Sequence, residues 1–421
     1  MKINLWENIF DKYDILENIR KNGQYEISAK VINEFREARL MTKFDNASQL
    51  PKIFADNKLS ILPVTRGNYI IAPMNIFHDF PKIGHSGEIS YLQFPEHIQS
   101  LSPDNITSEA LALNAAYLSG ILKDFIGDEQ ISPTINGRMS SSAFDFNITN
   151  SWSNEIVQVN VNNAQIEIDA GYEGAEYLSI IEAKNYLADD FVIRQLYYPL
   201  RLCAGNIRKP VKTIFMVYTN NMFYLYEYKF DDLQNYNSLQ LNRFHRYSFE
   251  KMEISLEDIE RILQNVKVVQ EASIPFPQAD SFERVINLCE LLYKSDLTKN
   301  NITIEYGFDK RQTDYYINAG KYLDLIKEQD GVVSLSSTGR SIMDKSPTRR
   351  QLEFVHQILQ HAVFNDVLKT QLKLGLLLSK AEIIGTMKRY PLFNVKSKST
   401  YTRRASTVSS WINWITSLIT E

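Results

Sequence analysis

The chain holds two cysteines, Cys203 and Cys289, among 421 residues. Two thiols can supply neither a disulfide framework nor a four-cysteine zinc site. Met1 to Lys12 is charged and has no apolar h-region, so no secretory signal is visible and a cytoplasmic protein is expected. Histidine is also scarce, with six dispersed residues, and no Cys or His cluster points to zinc. Glycine (16) and proline (13) are too few for a collagen-like or Pro-rich chain. No apolar run approaches the roughly 20 residues that span a bilayer, so no membrane partner is expected. The phosphate loop G-x-x-x-x-G-K-[ST] and the G-x-S-x-G nucleophile elbow are both missing, which argues against an ATP-driven translocase and against that form of serine catalysis.

What is present reads as globular: 44% hydrophobic and 23% charged residues. The length exceeds what one core usually supports and implies two to four domains. The formal net charge is −4, unevenly spread. From Arg340 to the end there are 13 Lys and Arg against 5 Asp and Glu, a local balance of +8. A basic tail on an acidic body suits a polyanionic partner.

Periodicity and turn chemistry divide the chain into five stretches. Residues 1–104 form an N-terminal α/β region, with a helix over 26–39 and strands over 59–64 and 69–72 around the turn Arg66-Gly67-Asn68. Residues 80–107 read mainly as loop. Residues 105–230 alternate more densely. A helix runs from a Thr107 or Ser108 cap to about Phe125, and a loop carries Gly127, Pro133 and Gly137. Strands follow over 144–148, 155–161 and 165–169, the last two reading as a hairpin about Asn162-Asn163, and then over 177–183. A helix spans 189–203, and strands 211–218 and 222–228 end the stretch. Residues 231–278 connect, with a helix over 256–264 and Pro275 and Pro277 as linker punctuation. Residues 279–345 and 346–421 are mainly helical. The fold class is therefore α/β with a mixed sheet, followed by mainly α modules.

Two strands carry the most suggestive side chains, Gln165-Ile166-Glu167-Ile168-Asp169 and Ser179-Ile180-Ile181-Glu182-Ala183-Lys184. Strand side chains alternate, so Glu182 and Lys184 share a face, as do Glu167 and Asp169. If the strands pair, Asp169 and Glu182 converge with Lys184 beside them. Two adjacent carboxylates stay ionised together only with a cation. Mg²⁺ suits one or two carboxylates plus a phosphate, and an ammonium nearby adds positive charge where a phosphodiester reacts.

The order helix, strand, Asp-bearing strand, Glu-x-Lys strand, helix, strand resembles the PD-(D/E)XK nuclease superfamily, and within it the type II restriction endonucleases. The resemblance covers roughly residues 105–230. It implies Asp169 and Glu182 as metal ligands, Lys184 as the catalytic lysine and Gln195, in "RQLYYPLR" near Tyr198, as the glutamine of the following helix. Ile168 stands where the name-giving proline would be, which leaves Glu167 or Glu173 as substitutes for Asp169. The stretch from Arg36 through "LSILPVTRGNYII" and the tail "RRASTVSSWINWI" also look like the ends of such enzymes. The family further implies double-stranded DNA as substrate, Mg²⁺ as cofactor, a homodimer at least on DNA, and a cognate DNA methyltransferase encoded nearby. A repair or recombination nuclease of the same fold and a non-catalytic DNA-binding regulator are the alternatives.

Residues 281–339 read as helix, short helix, helix and hairpin. The third helix, 309–326, is capped by Asp309 and follows Gly307. It has Tyr316, Ala319, Gly320, Leu323 and Ile326 inside and Arg311, Tyr315 and Asn318 outside. This resembles a winged-helix domain, whose third helix enters the major groove, and implies Arg311, Gln312 and Tyr315 as DNA contacts. Its wing is expected over "GVVSLSSTGRSIM". A second such module is expected at the C-terminus. There Lys398, Arg403 and Arg404 precede a helix lined by Val408, Trp411, Ile412 and Ile415, and phosphate would offset basic charge at a helix start. Arg39 and Lys43 form a further possible DNA contact group, with Arg36 and Arg66 nearby.

Overall fold

The computed structural model describes residues 2–81, 88–153, 155–306, 308 and 310–420. The chain forms two compact units. One comprises Met1–Lys82, Ser108–Tyr218 and Phe223–Tyr247, the other Ile83–Thr107, Thr219–Met222 and Ser248–Glu421. Together they give a mixed α/β protein with a mixed sheet and a helical C-terminal region.

The first unit begins with α1 (Lys2–Lys12), α2 (Ile15–Asn22), β1 (Tyr25–Ser28), α3 (Ala29–Asn33), α4 (Ala38–Thr42) and α5 (Lys52–Asp56). The strands β2 (Ser60–Pro63) and β3 (Asn68–Ala72) pair antiparallel about the expected turn, and β1 adds to the far edge of β3. The helix expected over 26–39 is thus a strand and two short helices. Ser28 ends β1 and caps α3 through Val31 N–H, and the backbone leaves helical geometry before α4. Trp6, Phe10 and Phe54 pack edge to face in the core of this region with Phe44 tilted against Phe54, and the Trp6 indole donates to Met41 O.

The strand β4 (Phe77–Asp79) is followed by β5 (Ile89–Tyr91), which belongs to the second unit and lies within the stretch expected as loop. The helix expected to reach Phe125 is two helices, α6 (Glu109–Leu118) and α7 (Ile121–Ile126), broken where Gly120 adopts φ +84°. The expected Gly- and Pro-containing loop is instead the strand β6 (Ile131–Ser140). Then come β7 (Phe144–Thr149), β8 (Ile156–Val161), β9 (Gln165–Gly174), β10 (Leu178–Lys184), β11 (Asp190–Val192), α8 (Arg194–Ala204), β12 (Val211–Thr219), β13 (Met222–Phe230) and β14 (Leu239–Ser248). The strand β14 falls in the stretch read as connecting. Asn163 takes the turn geometry expected of it, but β8 and β9 are not a hairpin. β8 pairs β7, while β9 lies between β6 and β10.

Within this unit the main sheet runs β14-β13-β12-β10-β9-β6. β10 is antiparallel to β9 and parallel to β12. A parallel neighbour requires a crossover, and α8 provides it. β10 is buried along six of its seven residues, which explains its near-continuous apolar sequence. The aromatic residues Phe146, Phe191, Tyr197, Tyr198, Tyr228 and Tyr236 fill the core beside it.

The second unit contains α9 (Leu256–Asn265), closed by a Ser255–Asp258 capping box, and α10 (Phe282–Lys294). Next are β15 (Leu297–Thr298), α11 (Lys299–Glu305), α12 (Lys310–Tyr322), β16 (Ile326–Gln329) and β17 (Val332–Leu335). The three strands form a small sheet in the order β15-β17-β16, and the turn at Asp330-Gly331 has positive φ at both residues. The expected stop at Gly307 and cap at Asp309 lie outside the described residues. α12 ends at Tyr322 and not at Ile326, because Asp324 turns left-handed and Ile326 starts a strand. The far part of the expected wing is the helix α13 (Ser337–Met343), capped by Ser336. The helices α14 (Pro347–Leu359), α15 (Ala362–Leu374), α16 (Lys380–Met387) and α17 (Lys398–Ser417) complete the unit. Arg403 and Arg404 therefore sit in the second turn of α17, not ahead of it. Trp411 is fully buried, stacks on Phe364, meets Phe282 edge-on and donates to Ala279 O at 2.7 Å. Among the described residues no helix is long and apolar enough to cross a membrane.

Candidate active site

The pairing of β9 with β10 sets the site. The ladder runs to Ile181 opposite Ala170 and then stops. The next inward N–H, that of Ala183, donates to the Asp169 side chain at 2.9 Å. A carboxylate thus takes the place of a main-chain acceptor, and the two strands part where Asp169 and Glu182 face each other.

Glu182 is 7% exposed. Its Oε1 accepts from Lys184 Nζ and from Gln195 Nε2, both at 2.5 Å. Lys184 comes from the same face of β10 and Gln195 from the first turn of α8, so the crossover helix closes the site. The Gln195 Oε1 is buried and has no partner. Burial pushes the Glu182 carboxyl up to about 8, Lys184 opposes this, and the Asp169 charge adds to it. Burial alone would lower the Lys184 ammonium, but Glu182, Asp45 and Glu109 outweigh it and hold the pKa well above the ordinary lysine value. Lys184 is a cation here, not a base.

Two further carboxylates belong to the cluster and were not singled out in the sequence. Glu109 occupies the first turn of α6, after the Ser108 cap. Burial raises its carboxyl, with Lys184 and Lys43 opposing and Asp169 and Asp45 reinforcing. Asp45 is buried in the turn after α4 and pairs with Lys43 at 3.5 Å. That turn is fastened to β11: Val192 N–H donates to Asp45 O, Ala47 N–H to Asp190 Oδ1, and Asn46 Nδ2 to Asp190 O. Tyr186, pushed far up by burial, donates to Asn46 Oδ1 at 3.3 Å. Asp45, Asn46, Lys184, Tyr186, Asp190 and Gln195 line a small cavity with Phe80 and Phe191. An acid in a helix's first turn already has a local explanation in the macrodipole, which concealed Glu109. Nothing in the pattern around Asp45 marks it.

The other candidates lie elsewhere. Glu167 is exposed and pairs with Arg138 at 3.3 Å, and Glu173 pairs with Lys209 at 2.8 Å. Of the three acids on β9, Asp169 is the one among the main influences on Glu182. Tyr198 is core, its hydroxyl donating to Pro63 O. Arg39 and Lys43 are exposed in the first unit. In the second, Arg311, Lys398 and Arg403 are exposed, Gln312 and Tyr315 are half-buried, and Arg404 is buried.

The donor set fits a hard divalent cation. Asp169 and Glu182 offer carboxylate oxygens, their mutual repulsion calls for positive charge, and the orphan Gln195 Oε1 offers an acceptor beside them. Among the described residues no three His, Cys, Asp or Glu side chains form a ready-made cage. An ion held by two protein carboxylates and completed by water and phosphate is the arrangement Mg²⁺ favours.

Three protein families match parts of the chain, each described as a domain of unknown function: DUF6996 over residues 4–71, DUF6997 over 72–248 and DUF7226 over 284–420. No curated protein and no solved structure matches the chain.

Proposed function

We propose that the first unit is a divalent-metal-dependent nuclease of the PD-(D/E)XK type and that the chain is a type II restriction endonuclease acting on double-stranded DNA. One observation carries this reading: Lys184 and Gln195 converge on a single oxygen of Glu182, opposite Asp169, at the end of a strand flanked by one antiparallel and one parallel neighbour. This is the order and chemistry that the sequence resemblance implies. Asp169 and Glu182 would hold Mg²⁺, which when bound supplies Lewis acidity and offsets the charge of the reacting phosphodiester.

The protein groups divide the remaining work. Lys184 keeps its proton and contributes a fixed positive charge toward the developing negative charge on phosphate. Gln195 fastens Glu182 through Nε2 and can orient the attacking water through its unpartnered Oε1. Asp45 and Glu109 keep Lys184 charged, and Asp169 is held in place by Ala183 N–H. In the second unit, α10 to α12 and the β16–β17 hairpin support a winged-helix reading, with Arg311, Gln312 and Tyr315 toward DNA. One site per chain and two antiparallel strands to cut make a two-fold dimer the simplest assembly.

Glu182→Ala and Lys184→Ala should each abolish cleavage of duplex DNA while leaving binding largely intact, and EDTA should stop cleavage by the wild type. A Lys184→Ala protein that melts like the wild type and still cuts would refute the assignment. A DNA methyltransferase gene beside this one would favour restriction over repair.

A further inference from the structure

The two basic groups that the sequence places in separate modules meet around one side chain. Arg404, in α17, is 8% exposed. Its Nε is buried without a hydrogen-bond partner. Among the described residues the groups acting on it are Tyr315 of α12 and its neighbour Arg403, and no carboxylate is among these. Burial lowers the guanidinium to about 10, with Tyr315 opposing and Arg403 reinforcing. α17 contributes no acid over its 20 residues. The nearby acid of α12, Asp314, is engaged by Lys299 at 3.1 Å. Buried arginines are ordinarily paired, because an uncompensated buried charge is costly.

Tyr315 also engages an arginine of its own helix. Its hydroxyl accepts from Arg311 Nε at 2.6 Å, and the Arg311 guanidinium lies 5.6 Å from its ring centroid. Arg311 and Arg403 are exposed on either side. The planar guanidinium fork matches phosphate oxygens, and exposed arginines around a buried one give such an anion a rim.

We infer that Arg311 and Tyr315 of α12 and Arg403 and Arg404 of α17 form one composite anion site for a backbone phosphate of nucleic acid, in which the missing counter-charge of Arg404 arrives with the ligand. The site is a property of the second unit and stands whether or not the first unit cleaves.

The test uses the full chain in EDTA, so that nothing is cut. Thermal midpoints are measured as inorganic phosphate replaces chloride at constant ionic strength, for the wild type, Arg404→Met and Arg404→Lys. Phosphate should raise the wild-type midpoint. Arg404→Met should start at or above the wild type, since the unpaired charge is gone, and should not respond. Binding of a short fluorescent duplex should weaken about tenfold or more in Arg404→Met. The slope of log K against log salt should flatten by roughly one unit. Arg404→Lys, which keeps the charge without the fork, should fall between. Equal phosphate responses and equal slopes in wild type and Arg404→Met would overturn the site. A lost phosphate response with unchanged duplex affinity and slope would overturn the nucleic-acid assignment in favour of free phosphate. If Arg404→Met melts far below the wild type and neither the wild type nor Arg404→Lys responds to phosphate, Arg404 is structural and the inference fails.

Discussion

Cation binding at Glu182 should be tied to the release of a proton. Burial raises this carboxyl to about 8, so near neutrality the empty site holds a proton that a divalent ion must displace. Ionising it at pH 7 therefore costs on the order of 1 kcal/mol of the ion's intrinsic binding energy. Apparent affinity should therefore rise by about tenfold or more from pH 6 to pH 8 and level off at higher pH. Calorimetric titration of Mg²⁺ or Mn²⁺ into the DNA-free protein, in two buffers of different ionisation enthalpy, should report most of one proton released per ion at pH 7. Glu182→Gln should bind weakly and without this pH dependence. Stability follows the same sign. A carboxyl raised above its ordinary value of 4.5 contributes fully below that pH, and the contribution is lost as pH rises through about 8. A bound cation should restore it, raising the thermal midpoint more at pH 8 than at pH 6. Wild-type affinity that is flat from pH 6 to pH 8, with no proton released, would refute the coupling.

Other tests concern stability. Trp411→Ala removes a fully buried indole and its bond to Ala279 O, and should cost about 3–5 kcal/mol in denaturant unfolding. Gly339→Ala would place a Cβ 2.1 Å from Leu325 O, a backbone atom that cannot swing aside, and should lower stability by about 1–3 kcal/mol or more. His361 is buried against the Tyr322 ring, with Glu271 Oε1 3.9 Å from its Nδ1, and burial lowers its pKa to about 4. Its contribution is present above pH 6.5 and lost as pH falls through about 4, at most about 3 kcal/mol. The Glu271 carboxyl, raised by burial, acts in the opposite sense. His361→Phe should flatten the loss of stability between pH 6.5 and pH 4, measured by denaturant titration at each pH.

Much of the strand pair that carries Asp169 and Glu182 is legible in the sequence because its signals are local. Alternation in Gln165 to Asp169 and the apolar run before Glu182 each identify a strand; the sequence leaves their pairing conditional, and the structure supplies it. β6 was read as a loop because Pro133 and Gly137 usually break strands. Among the described residues it pairs in the sheet with β9 alone, and an edge strand tolerates a residue with no N–H to give. The β8–β9 pairing failed for the opposite reason. The Asn162-Asn163 turn is real, but Val157, Val159 and Val161 bury against Phe146 and Ile148 of β7, and the turn passes the chain on to a different partner. Tertiary packing, invisible to a local pattern, decided it. The same holds for Asp45, which joins the site only because the turn after α4 is pinned to Asp190 and Val192. Arg404 looked like a solvated phosphate contact until the helix was seen to start at Lys398 and turn that side chain inward.

The site draws on the carboxylates of residues 45, 109, 169 and 182 and on the amide of Gln195, and the unit carrying it is not finished until Tyr247. Its sheet needs β12, β13 and β14 to cover one side of β10. At a synthesis rate of about 5–20 residues per second, the earliest contributor must wait many seconds for the last strand to leave the ribosome. Within that interval the β10 segment lacks its crossover helix until Ala204 has emerged and its parallel neighbour until Thr219 has. Such long-range closure is slow and leaves strand edges bare. The nascent chain is therefore most vulnerable to aggregation between the emergence of Lys184 and that of Ser248, and synonymous changes that slow translation inside this window should lower soluble yield more than equal delays placed after it.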